Sequence, residues 1–68
     1  MNEIIFLVEE APDGGHTARA LGHSIFTQAE TTEALHAAVR DAVQCHFDPA
    51  DAPKLIRLHF VGDVVIAA

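Results

Sequence analysis

From Ile4 to Phe47 the chain carries one continuous pattern: an apolar strand, a Pro-Asp-Gly-Gly turn, two short strand-like segments and a helix opened by threonines. Strands repeat every two residues and helices every three to four, so that order admits few folds besides a small sheet with one helix against it. It also leaves little room for catalytic machinery.

Asn2 to Glu10 is rich in Ile, Phe, Leu and Val on both alternating faces and runs into Ala11-Pro12-Asp13-Gly14-Gly15, a dense turn signal. It reads as a central strand followed by a hairpin loop. His16 to Leu21 alternates His16, Ala18, Ala20 with Thr17, Arg19, Leu21, and Gly22-His23 permits a second reversal. Ser24 to Ala29 then completes an antiparallel meander as an edge strand, with Ile25 and Phe26 on opposite faces.

Thr31 or Thr32 can accept a hydrogen bond from an early helical N–H, and Glu33 suits the positive end of the helix dipole. Between Thr32 and about His46 the positions Leu35, Val39, Ala42, Val43 and Phe47 fall on one stripe, which Ala34 and Ala38 widen. Asp48-Pro49 ends the helix, and Ala50 to Lys54 forms a loop. Leu55 to Val61 is the fourth strand, with Ile56, Leu58 and Phe60 expected on the core face and Leu55, Arg57, His59 and Val61 on the other.

A right-handed crossover through the helix would set this strand parallel to the first and beside it. The expectation is therefore an α+β domain with sheet order 3-2-1-4. Gly62-Asp63 is expected to give a hairpin into a short C-terminal strand, Val64 to Ala67, or a bend within one long strand.

Sixty-eight residues make a single domain, spanning residues 1–68, whose core alone supplies roughly 3–5 kcal/mol. Cys45 is the only cysteine, which excludes a disulfide and a thiol-rich zinc site, so oligomerisation is the expected reinforcement. One helix covers one face of the sheet, leaving Ile5, Leu7 and Val61 in need of a cover, and Val64-Val65-Ile66 lacks the charge or proline that normally protects an edge. A homodimer or higher homo-oligomer is expected, with Arg57, His59, Val61, Val64, Val65 and Ile66 as its interface or that of another protein.

The net charge of −6, with only Arg19, Arg40, Lys54 and Arg57 as fixed cations, argues against phosphate-dependent nucleic-acid binding and suits a basic protein partner. No apolar run approaches membrane-spanning length, and Ile4 to Val8 lacks the basic region of a secretory signal. A cytoplasmic protein is expected.

Five histidines invite a metal or acid–base reading, but His36 and His46 are three helical turns apart, too far to share an ion. Cys45 beside His46 lacks any sign of an oxyanion site and reads as a small buried residue near the helix end. The aspartates sit mostly beside Gly or Pro, where they serve turns, and Gly14-Gly15 precedes a strand rather than the helix of a phosphate loop. No catalytic residue, metal ligand or cofactor is assigned. The alternative is a small metal-dependent hydrolase or nuclease, which requires a cluster such as His16, His59 and Asp63 to converge.

The segments Ile4-Ile5-Phe6-Leu7-Val8-Glu9-Glu10, Pro12-Asp13-Gly14-Gly15-His16 and Thr27-Gln28-Ala29-Glu30-Thr31, with the amphipathic helix, resemble the HicB antitoxin family over about Ile4 to Asp48. The resemblance implies a partial ribonuclease H-like fold without nuclease activity. It further implies binding and masking of a small basic RNA-cleaving toxin of the HicA type, or an orphan dimeric regulator. His16 stands where that family often has an aromatic, and Leu21-Gly22-His23-Ser24 is shorter than its usual loop. Members commonly carry a C-terminal DNA-binding domain; residues 1–68 contain none, so operator binding is not expected.

Overall fold

A computed structural model describes residues 2–62 and 66–68. In chain order the elements are β1 (Glu3–Glu10), β2 (His16–Ala20), β3 (Phe26–Ala29), α1 (Thr32–His46) and β4 (Leu55–Val61). The four strands form one sheet in the order β3-β2-β1-β4, antiparallel throughout except that β4 runs parallel to β1. This is the expected α+β arrangement. The segment from Asp63 to Val65, including the anticipated hairpin or bend, lies outside the described residues.

The meander is held by two short loops. The Ala11 N–H donates to the Gly15 carbonyl (2.7 Å) and the Gly14 N–H to the Ala11 carbonyl (3.0 Å), while Gly14 takes φ +97°, which a side chain disfavours. In the second loop the Ala20 N–H reaches the Ile25 carbonyl at 3.0 Å; β3 begins at Phe26, so the expected strand is shorter by Ser24 and Ile25.

The Thr31 hydroxyl caps α1 by accepting from the Ala34 N–H at 3.1 Å, with Thr31 itself extended at φ −126°, ψ 161°. Removing this acceptor leaves one early helical N–H to solvent, so Thr31→Ala is expected to destabilise the fold by about 1 kcal/mol. Urea unfolding checks it; an unchanged midpoint would show that water replaces the cap without loss. At the other end the Phe47 N–H bonds the Val43 carbonyl at 3.1 Å, and the chain leaves the helix in an extended conformation before Pro49.

The core lies between α1 and one face of the sheet. It comprises alternate residues of β1 (Ile4, Phe6, Val8), Ala18 and Ala20 from β2, Ile25, and the helix stripe Leu35, Val39, Val43. Phe6, Ala18 and Leu35 are wholly buried. The two alanines let the helix approach β2, and α1 lies nearest β3 and β2 rather than centred over the sheet.

That offset corrects one expectation. Phe60 alternates onto the helix face with Ile56 and Leu58, opposite Val8, but it is 54% exposed because the helix does not reach the far end of β4. Ile56 and Leu58 pack at the margin of the core. Cys45 is also corrected: it is exposed, since it follows Val43 by two positions and so falls off the buried stripe. No helix among the described residues is long and apolar enough to cross a membrane.

Candidate interaction surface

The strand register fixes which side chains share the face turned away from α1. Leu7 stands opposite Arg19 on one side and His59 on the other, Arg19 opposite Phe26, and Ile5 opposite Arg57. One transverse row therefore reads Phe26, Arg19, Leu7, His59. Among the described residues no helix covers this face, and Ile5 and Leu7 are half-buried.

Arg57, His59 and Val61 all lie on this face of β4, as expected, and all three are exposed. Ile66 is 82% exposed. Val64 and Val65 lie outside the described residues. The register separates His16 from His59: His16 pairs with Glu10 on the helix side of the sheet, whereas His59 pairs with Leu7 on the open side. The cluster of His16, His59 and Asp63 thus lacks two converging members, and among the described residues no three potential metal ligands converge.

Arg57 is anchored across strands: Nε donates to Glu3 Oε1 at 2.7 Å and a terminal nitrogen to Oε2 at 3.1 Å. This two-pronged geometry, more than charge alone, favours the ionised carboxyl and holds Glu3 below the ordinary carboxylate range. It raises Arg57 further for the same reason. Because folding lowers the Glu3 pKa, the pair's contribution is present above the unfolded value and is lost as pH falls through the folded one. In an NMR pH titration Glu3 is expected to titrate below an unpaired glutamate, and to return to the unpaired range in Arg57→Leu. The pair faces solvent and is expected to weaken in high salt.

β4 is an edge. No strand lies beyond it among the described residues, and it exposes Leu55 (62%), Phe60 (54%) and Val61 (40%). Between β4 and α1 runs a groove of about 350 Å³, walled by Val39 from the helix and Leu55, Ile56 and Leu58 from the strand, with His36 and Arg40 at its rim. The groove and the exposed Phe60 are the features that alternation did not signal, because periodicity assigns faces and not the lateral position of a helix.

A protein from Archaeoglobus fulgidus is 64% identical to this chain over 52 residues, covering 76% of this chain and 77% of its own length. One from Thermotoga maritima is 48% identical over 65 residues, covering 96% of this chain and 91% of its own. Both are named UPF0150 protein. The chain belongs to the UPF0150 family. That name carries no activity, substrate or partner. No family model matches this UPF0150 chain, and no solved structure does.

In this UPF0150 protein the histidines at the helix end also form a cluster that spacing did not announce. The rings of His23, His46 and Phe47 meet edge to face, His23 lying 6.1 Å from His46 and 5.2 Å from Phe47 between centroids. The contact packs the second hairpin loop against the end of α1.

Proposed function

We propose that this chain is a non-catalytic protein-binding module that works as HicB antitoxins do, docking a small basic RNA-cleaving protein of the HicA type and masking its active surface, and that it assembles as a homodimer. The observation that carries the reading is an edge strand bearing exposed Leu55, Phe60 and Val61 beside a sheet face with no helix on it among the described residues. Monomers normally protect such an edge with charge, proline or a covering element.

Charge supports the basic partner. At −6 overall, the chain attracts a cationic protein over a Debye length and raises its association rate. The open face offers Ile5 and Leu7 as an apolar floor flanked by Arg19, Arg57 and His59, with Glu3, Glu9 and Gln28 around them, a mixture suited to a polar-rimmed protein interface. The sequence resemblance to HicB supplies the partner's class.

The test is to mix the purified chain with a purified HicA-type protein, following RNA cleavage by assay and complex formation by calorimetry. A stoichiometric complex that weakens with salt and abolishes cleavage is the expected result. Undiminished cleavage with no heat of binding at tens of micromolar would overturn the antitoxin reading and leave an orphan assembly module.

A further inference from the structure

The hydrogen-bonding polarity of β4 determines what its free edge can accept. The Leu55 N–H donates to the Asn2 carbonyl at 3.0 Å, and Leu55 stands opposite Glu3 in the parallel ladder. In such a ladder a residue directs both backbone groups to the same side and its neighbours direct theirs to the other. Leu55, Arg57, His59 and Val61 are therefore bonded toward β1. Ile56, Leu58 and Phe60 present their N–H and C=O groups outward.

We infer that a second copy of this chain pairs its β4 antiparallel with this one about a two-fold axis at Leu58, placing Phe60 of each copy beside Ile56 and in the α1–β4 groove of the other. The inference rests on the protein-binding reading above and narrows it, by assigning the edge and groove to self-association and leaving the open face for a different partner.

Three observations converge on this register. First, a closed two-fold pairing must match outward-facing residues with one another, so the axis passes through a residue. Centring it on Leu58 is the choice that engages all seven residues, giving Leu55 opposite Val61, Ile56 opposite Phe60, Arg57 opposite His59, and Leu58 opposite itself. Every pair is then apolar with apolar or polar with polar. Moving the axis to His59 sets Arg57 against Val61 and leaves Leu55 unpaired.

Second, Phe60 and the groove complement each other. Phe60 is a 54% exposed aromatic on the helix face, and Ile56, its partner across the axis, forms the groove wall with Val39 and Leu58. The groove, about 350 Å³, has room for a phenyl ring. Within one copy Phe60 does not line it; a copy turned by the two-fold delivers its own Phe60 there.

Third, the polar pair is balanced. Arg57 is held by Glu3 of its own copy at 2.7 Å, so the group facing His59 of the second copy is an ion pair rather than a bare cation. The exposed parts of Leu55, Phe60 and Val61 come to roughly 300 Å² per copy, toward the about 800 Å² per partner of a stable interface. The strand backbone and the groove walls add to this area.

The test uses the full chain in a Cys45→Ser background, because Cys45 is exposed and would crosslink indiscriminately. Arg57 and His59 of the two copies form a closely spaced, non-hydrogen-bonded pair, within disulfide reach, whereas Arg57 is too far from Arg57. Mixing an Arg57→Cys chain with a His59→Cys chain under mild oxidation is expected to give the mixed dimer in excess over either self-crosslinked species. Phe60→Asp, which changes an exposed side chain and should preserve the circular dichroism of the fold, is expected to weaken self-association at least thirtyfold by ultracentrifugation.

A chain that stays monomeric at about 100 µM would overturn the inference. So would a dimer that ignores Phe60→Asp or crosslinks equally in all combinations, which would place the second copy elsewhere. Failure to bind a basic toxin while these crosslinks form would overturn the antitoxin reading and leave the dimer standing.

Discussion

Phe6→Ala is expected to leave the chain largely unfolded at 25 °C. Phe6 is wholly buried on the central strand, paired with Ala20 of β2 on one side and Leu58 of β4 on the other, beneath the helix. Truncating a buried phenylalanine costs about 3–5 kcal/mol, through lost transfer free energy and a cavity that neighbours only partly fill. A domain of this length has about that much stability in total. The cost therefore equals the margin.

Circular dichroism at low protein concentration is the direct check, with concentration varied because a dimer adds stability by mass action. Loss of the cooperative thermal transition is the expected outcome. A transition displaced by only a few degrees would mean that β1 is not the spine of the core.

Leu35→Ala is expected to destabilise the fold by about 2–5 kcal/mol, and Leu55→Ala by about 0.5 kcal/mol or less. The two deletions remove the same atoms. Leu35 is 0% exposed on the helix stripe above the sheet, whereas Leu55 is 62% exposed at the start of the edge strand. The first leaves a cavity under α1; the second removes atoms already in water and should weaken self-association instead. Denaturant midpoints at low concentration, where the chain is monomeric, separate the two. Equal losses would show that β4 is buried in the isolated chain, which would undercut the edge argument as well.

Much of the fold is legible residue by residue. Alternation in His16 to Ala20 buries Ala18 and Ala20, and β4 runs from Leu55 to Val61 as the pattern suggests. The helix spans Thr32–His46, with Thr31 rather than Thr32 as its cap. These features depend on periodicity, turn chemistry and caps, which act over a few residues. The parallel β1–β4 pairing followed from the crossover alone.

The candidate surface was legible only in part. Arg57, His59 and Val61 share an exposed face as their spacing requires, yet the anchoring of Arg57 by Glu3, 54 positions away, has no sequence signature. Phe60 and Cys45 were misread for related reasons: an apolar residue in phase or near a stripe looks buried until the partner element is located. His16 and His59 were candidates for one cluster until the register put them on opposite faces.

The sequence by itself determined the elements, their order and which residues of each can face a core, because backbone geometry gives strands and helices fixed periods and Gly, Pro and Thr mark their ends. Only the tertiary structure decided that α1 sits over β3 and β2. That lateral choice follows from how the helix stripe packs onto the small side chains of Ala18 and Ala20, a sum over contacts distant in sequence. From it come the exposed Phe60, the groove beside β4 and the open edge, and hence the surface on which the function of this protein is proposed to rest.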